Sequence, residues 1–129
     1  MLTTTIEKTL SANDTGETGG HQAGILVPKD ERILSFFPRL DATMKNPRTV
    51  LDITDDTGRD WAFSFIYYNN RFFGGTRNEY RLTGMTAFLR EFNLKVGDKV
   101  ILHRKSPRHI HITFVRAQQK QKVLRLSSA

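Results

Sequence analysis

Hydrophobic residues recur along most of this chain with a period of two, and in two short stretches the spacing lengthens to that of a helix. Trp61, Phe63, Phe65 and Tyr67 alternate with Ala62, Ser64, Ile66 and Tyr68, so they share one strand face, and so aromatic a face must be core. Thr49 to Ile53 repeats the pattern with Leu51 and Ile53 inward, and Asp55-Asp56-Thr57-Gly58 between the two segments predicts a hairpin. Lys99 to His103 and His109 to Phe114 form a second predicted pair, joined by a turn around Ser106-Pro107. In the latter strand Ile110, Ile112 and Phe114 point one way, and His109, His111 and Thr113 the other. Thr3 to Leu10 and Gln22 to Val27 also read as strands, the second ended by Pro28.

The helical signals are local. Asp30 is placed to cap a short helix carrying Ile33, Leu34 and Phe37, stopped by Pro38. Thr83 is placed to cap another, in which Met85, Phe88, Leu89 and Phe92 recur at the spacing of one buried face. Two long polar segments remain, Ser11 to His21 and Asn69 to Arg81. The first is too long for a tight hairpin, and long loops in a compact β domain usually carry function.

A chain of 129 residues suffices for one domain with one core and is short for two. No apolar run approaches the roughly 20 residues that cross a bilayer, and MLTTTIEKTL lacks the basic-then-apolar layout of a secretory signal. A cytoplasmic location is therefore expected, with no membrane partner. With no cysteine there is no disulfide framework, thiolate zinc site or cysteine nucleophile. The net charge of +7 is lopsided. Eight of the 20 basic residues fall between Lys99 and Ala129, where there is no acidic one, leaving 12 against 13 acidic residues before Lys99. Such a segment is either a solvated basic tail or an attractor of polyanions, of which nucleic acid is the commonest.

If Arg77 to Arg81 is extended, Arg77, Glu79 and Arg81 share one face, and Asn78, Tyr80 and Leu82 the other. Arginine can grip guanine O6 and N7, glutamate can accept from the cytosine amino group, and asparagine can pair with adenine. The same three residues also fit an Arg-Glu-Arg ladder on a sheet surface. His21, behind Gly19-Gly20, could donate to a base or phosphate, or simply be solvated.

A small metal-dependent nuclease or phosphodiesterase is the main enzymatic alternative. Asp52, Asp55, Asp56 and Asp60 cluster, but no Asp/Glu-x-Lys triplet occurs, so they read as an acidic turn. His103-Arg104-Lys105 has a His-x-Lys start without its aspartate, since Ile110 stands five residues after the lysine. His109 and His111 have no cysteine or carboxylate close by in sequence and read as a surface pair. No catalytic residue, metal or cofactor is expected. A further alternative is a single-stranded nucleic-acid binder stacking bases on Tyr67, Tyr68, Phe72, Phe73 and Tyr80, although the core already claims some of these.

Ser11-Ala12-Asn13-Asp14-Thr15-Gly16 with Gly19-Gly20-His21-Gln22, and Tyr67-Tyr68-Asn69-Asn70-Arg71 with Gly74, Thr76-Arg77-Asn78-Glu79 and Arg81, resemble the N-terminal effector-binding domain of EcoRII-type restriction enzymes. Leu82-Thr83-Gly84, Phe88, Leu94 and Gly97-Asp98 are similar to plant B3 transcription-factor domains. The resemblance spans roughly Leu10 to Val115. It implies a mainly β (α+β) fold, a seven-stranded open pseudobarrel with two short helices. From this barrel two arms, Ser11 to Gln22 and Asn69 to Arg81, would grip the major groove of double-stranded DNA.

By the same resemblance His21, Arg77, Glu79 and Arg81 are contact positions. Asn13, Asp14, Thr15, Gln22, Asn70, Arg71, Thr76, Asn78 and Tyr80 complete the candidate set. Lysines of the EcoRII-type loop are replaced by Gly75 and Tyr80. The resemblance implies a short GC-rich target, with CCWGG one candidate because relatives on the same scaffold read other such sites. The implied organisation is a DNA-binding domain over residues 1–116, monomeric in isolation. Residues 117–129 would be a basic tail or linker to a nuclease domain downstream in the same polypeptide.

Overall fold

The period-two segments pair into one seven-stranded sheet in the computed structural model, which describes residues 4–16 and 24–117. The strands are β1 (Thr5–Thr9), β2 (Ile25–Val27), β3 (Arg48–Thr54), β4 (Asp60–Tyr68), β5 (Glu79–Thr83), β6 (Lys99–Ser106) and β7 (His109–Val115). Their spatial order is β1-β6-β7-β3-β4-β5-β2, antiparallel throughout except for the β3–β7 pair. Both predicted hairpins form, and Lys105 is the extra residue of a bulge where the β6–β7 register shifts. The sheet curls until its edge strands β1 and β2 border a common groove of about 90 Å³, lined by Ile6, Lys8, Ile25 and Val27. This is the expected open pseudobarrel.

Inside the curl lie Leu51, Ile53, Phe63, Phe65, Val100, Leu102, Ile110 and Ile112, all essentially without solvent exposure. Phe37, Phe65, Tyr80 and Tyr67 add a column of near-parallel rings, with centroids 4.3, 5.7 and 4.2 Å apart along it. Trp61 meets Phe88 edge-on at 5.3 Å, which joins β4 to the helix after β5. Offset and edge-to-face pairs of this kind contribute about 0.5–1.5 kcal/mol each beyond area burial.

Three short helices accompany the sheet, α1 (Ala12–Thr15), α2 (Glu31–Leu34) and α3 (Thr86–Glu91). Asp30 caps α2 through the Arg32 N–H at 2.9 Å, as expected, but the helix stops at Leu34, well before Pro38, and Phe36 and Phe37 enter the core from the following turn. The expected cap of α3 is corrected. Thr83 ends β5 and donates to the Ser64 carbonyl, while Gly84, at φ +80°, turns the chain so that Met85 stands at the helix start. A threonine already spent on the sheet cannot cap. Helix α1 lies in the first polar segment, which periodicity alone reads as loop.

Candidate nucleic-acid interface

The second polar segment leaves β4 and returns as β5, and it is held by its own amides. Asn69 is fully buried. Its Oδ1 accepts from the Asn46 N–H at 2.7 Å, and its Nδ2 donates to the Met44 carbonyl at 2.8 Å and the Ala42 carbonyl at 3.2 Å. The segment 42–46 thus braces its root. A single 3-10 turn, Asn70–Phe73, follows and ends at Gly74, whose φ of +91° suits only a residue without a side chain. Asn70 Oδ1 then accepts the Arg77 N–H at 2.7 Å, and the Arg71 N–H reaches the Arg77 carbonyl at 2.9 Å, closing a neck below the tip. At Gly75 a Cβ would lie 2.9 Å from Asn70 Cγ, so glycine lets the loop fold onto Asn70.

Above that neck the expected period-two face is present. Glu79 Oε1 accepts from Arg77 Nε at 3.0 Å and Nη2 at 2.5 Å, and from Arg81 Nε at 3.3 Å. Partial burial raises the Glu79 carboxyl pKa, but the two guanidinium groups outweigh that and hold it below the usual carboxylate range. Arg77 also lies over the Tyr68 ring, 3.8 Å from its centroid. The Arg-Glu-Arg ladder is therefore present, and the arrangement that satisfies the arginines also fixes their planes. Glu79 is the sole acidic residue between Trp61 and Arg90.

On the opposite face Tyr80 stacks on Tyr67 and Phe65, and the Tyr67 hydroxyl donates to Asn78 Oδ1 at 2.6 Å. Lys29 Nζ donates to the Asn78 carbonyl at 3.0 Å. Tyr67 and Tyr80 thus cover one another and Tyr68 lies beneath Arg77, so of the five aromatics considered for stacking bases only Phe72 and Phe73 stand open. Arg71 and Thr76 are exposed.

The first polar segment begins with an equally deliberate turn. Ser11 and Asp14 form a reciprocal capping box, with the Asp14 N–H donating to Ser11 Oγ at 3.2 Å and the Ser11 N–H to Asp14 Oδ2 at 2.9 Å. Asp14 is buried, and Lys8 Nζ lies 3.5 Å from its Oδ2. The Gly24 N–H bonds to the Asp14 carbonyl, which ties the two ends of the segment together. Asp14 therefore organises this arm from within, while Asn13 is exposed and Thr15 half-buried, its hydroxyl donating to Ala12 O. His21 and Gln22 lie outside the described residues.

Cross-strand register adds residues the sequence alone did not single out. Arg48 of β3, Ile66 of β4, Arg81 of β5 and Leu26 of β2 form one row across the outer face. Arg48 thereby joins the basic surface next to the arm, a relation visible only once β3 is paired. The acidic cluster is a turn. Asp55 is buried and accepts from the Thr57 and Arg59 amides, Thr57 Oγ1 and Trp61 Nε1. Burial raises its pKa, but these donors dominate and lower it to about 2. His109 bonds Thr54, and His111 bonds Asp56. Among the described residues no group of three His, Cys, Asp or Glu could hold a metal ion, and no helix is long and apolar enough to cross a membrane.

The profile of the family "Restriction endonuclease EcoRII, N-terminal" matches residues 3–102, most of the chain and both arm segments. The chain belongs to that family. It is 44% identical over 79 residues, 59% of its length, to the type II restriction enzyme EcoRII of Escherichia coli. It is also 34% identical over 108 residues, 83% of its length, to the B3 domain-containing transcription factor VAL3 of Arabidopsis thaliana. The matched stretches are only 19% and 13% of those two proteins. Among solved structures, the Arabidopsis FUS3-DNA complex superposes with a TM-score of 0.67 at 19% identity, covering 87% of this chain and 96% of that one. This EcoRII N-terminal family member therefore has the B3 fold.

Proposed function

We propose that this EcoRII N-terminal family domain is the sequence-specific double-stranded DNA recognition module of a type II restriction endonuclease. In this reading it takes a short GC-rich site into two arms in the major groove and cuts nothing itself. The observation that carries the reading is the Arg77-Glu79-Arg81 face. Two guanidinium planes and one ionised carboxylate are fixed on a braced arm, which is the donor and acceptor set that guanine and cytosine edges require. The arms fit a groove as well. Their roots lie at opposite ends of the five-residue strand β5, about 13 Å apart at roughly 3.3 Å per step, comparable to a groove about 12 Å wide.

The roles divide by chemistry. Arg77, Glu79 and Arg81 read bases, with His21 and Gln22 approaching from the other arm. Arg71, Thr76, Asn70, Asn13 and Thr15 approach phosphates or outer base edges, and Asp14, Asn78 and Tyr80 shape the arms from behind. Residues 1–116 form the domain and 117–129 a basic linker to a nuclease domain in the same polypeptide, the whole being a cytoplasmic prokaryotic enzyme. The isolated domain acts as a monomer without cofactor. Support comes from the EcoRII relative, a restriction enzyme, and from the B3 neighbour, whose structure holds DNA.

Selection of bound duplexes from a randomised pool tests the reading. A short enriched motif is expected, with duplex preferred over single strands and no cleavage in magnesium, manganese or calcium. An unenriched pool refutes it, as does metal-dependent cleavage that tracks a point mutation in this chain.

A further inference from the structure

The arm carries a feature that hydrogen-bonded base reading leaves unused. Phe72 is 66% exposed and Phe73 43%, side by side on the 3-10 turn at the tip. Neither belongs to the buried cluster or to the hydrophobic residues packed against it. Adjacent exposed phenylalanines are unfavourable in water unless something covers them. Here the backbone presents them outward, because the Arg71–Arg77 bond and the Asn70 amide close the neck and Gly74 turns the chain beyond.

What covers them is indicated by the charges around them. Asn70 to Asn78 contains Arg71 and Arg77 and no acidic residue, so the rings sit in a cationic frame that favours a polyanion over an ordinary protein surface. A duplex groove offers such a tip one apolar group on a base edge, the thymine C5-methyl. The hydrogen-bonding face lies behind, on Arg77, Glu79 and Arg81, so a tip entering with them meets a neighbouring base pair.

Resting on the DNA-recognition reading above, we infer that Phe72, supported by Phe73, packs on the C5-methyl of one thymine in or beside the recognition site. The arm thereby reads an apolar mark in addition to hydrogen-bonding edges. The tip would then set specificity at a position that no charged residue of the arm contacts.

The test uses the duplex recovered by selection and the same duplex with every thymine replaced by deoxyuridine, which removes only methyl groups. The parent chain should bind the uracil duplex about fourfold more weakly, the effect of one buried methyl. Phe72→Ala should lose affinity for the thymine duplex by at least as much and bind the two duplexes equally. Phe72→Leu, which keeps an apolar tip, should retain the preference. Ring removal at so exposed a position leaves the melting temperature near the parent's, so an affinity change is not unfolding.

Equal binding of both duplexes by the parent overturns the inference, as does a preference that persists in Phe72→Ala. If Phe72→Ala binds all DNA as the parent does, the tip belongs to a protein contact and the inference again fails. In each of these cases the selected motif and the Arg77, Glu79 and Arg81 effects still stand. Failure of the parent to bind any duplex specifically removes both readings.

Discussion

Replacing Glu79 with alanine separates a surface ladder from a base-reading head, because the two roles predict opposite signs. In the free domain the carboxylate bridges Arg77 and Arg81 at a partly exposed site. Exposed pairs contribute about 0–1 kcal/mol each, so Glu79→Ala should cost at most about 1–2 kcal/mol of stability and leave the fold intact. Near DNA the carboxylate is repelled by phosphates, and if it had no base partner its removal would leave affinity unchanged or raise it. If it accepts from a cytosine amino group, its loss removes about 1–3 kcal/mol of discrimination, roughly 5- to 150-fold in cognate affinity, and frees the arginine planes. The expected result is a large loss on the cognate duplex with random-duplex affinity constant or increased. Fluorescence anisotropy with both duplexes at two salt concentrations measures it, and a thermal melt of each variant controls for folding. Because the arginines hold the Glu79 pKa low, the carboxylate stays ionised as pH falls from 7 to 5, so the cognate contact should persist over that range. Glu79→Ala binding the cognate site as well as the parent, with Arg77→Ala and Arg81→Ala losing cognate and random DNA equally, would reduce the face to an electrostatic patch.

Affinity should fall steeply with salt, and deleting residues 118–129, with Lys120, Lys122 and Arg125, should weaken cognate and random duplexes alike; a flat plot of log affinity against log salt refutes this. Asn69→Ala leaves the Asn46 N–H and two carbonyls without their partner, at a cost of about 1–3 kcal/mol. Amide exchange at Arg71 and Gly75 should then accelerate more than exchange in β4, and uniform protection would show that the arm does not depend on this root. Asp55, with its folded pKa lowered to about 2, contributes on the order of 2 kcal/mol above pH about 4, and this is lost as pH falls toward 2. Asp55→Asn should remove that part of the acid dependence, which denaturant midpoints between pH 2 and 7 will show.

How much of this was legible in the sequence depends on the range of the interaction concerned. The strands were, since alternation at Trp61 to Tyr68 and Thr49 to Ile53 is imposed by a one-sided core and survives in the buried Phe63, Phe65, Leu51 and Ile53. The Arg77-Glu79-Arg81 face was too, because residues two apart in a strand share a side whatever the rest of the fold does. The α3 boundary was not, because Thr83 has the chemistry of a cap and the competing sheet bond to Ser64 is set by a partner 19 residues away. Helix α1 was hidden for another reason: its single turn has no apolar period and rests on the reciprocal Ser11–Asp14 bonds, a short polar signature easily taken for loop. The Arg48-Ile66-Arg81-Leu26 row required the strand order itself.

The buried polar residues explain how a small barrel holds the described parts of its two polar segments in place. A segment that must present hydrogen-bonding groups outward cannot be fixed by a hydrophobic face of its own, so its position has to come from polar side chains satisfied inside. The buried polar residues among those described are Asp14, Asp55, Asn69, Thr83 and Asp98. Asp14 closes the first turn of one arm and Asn69 the root of the other. Asp98 takes the Lys95 and Ala117 amides, and its backbone carbonyl takes the Leu10 amide just before the first arm. Each is costly to strand without partners, so each locks one geometry. Ordering an arm before it meets its ligand removes that entropy cost from binding. In the DNA-recognition reading proposed above, a second arm braced at Asn69 would leave a mismatched base pair no inexpensive way to be accommodated. The bracing that holds Arg77 in place would thereby also sharpen discrimination between sites.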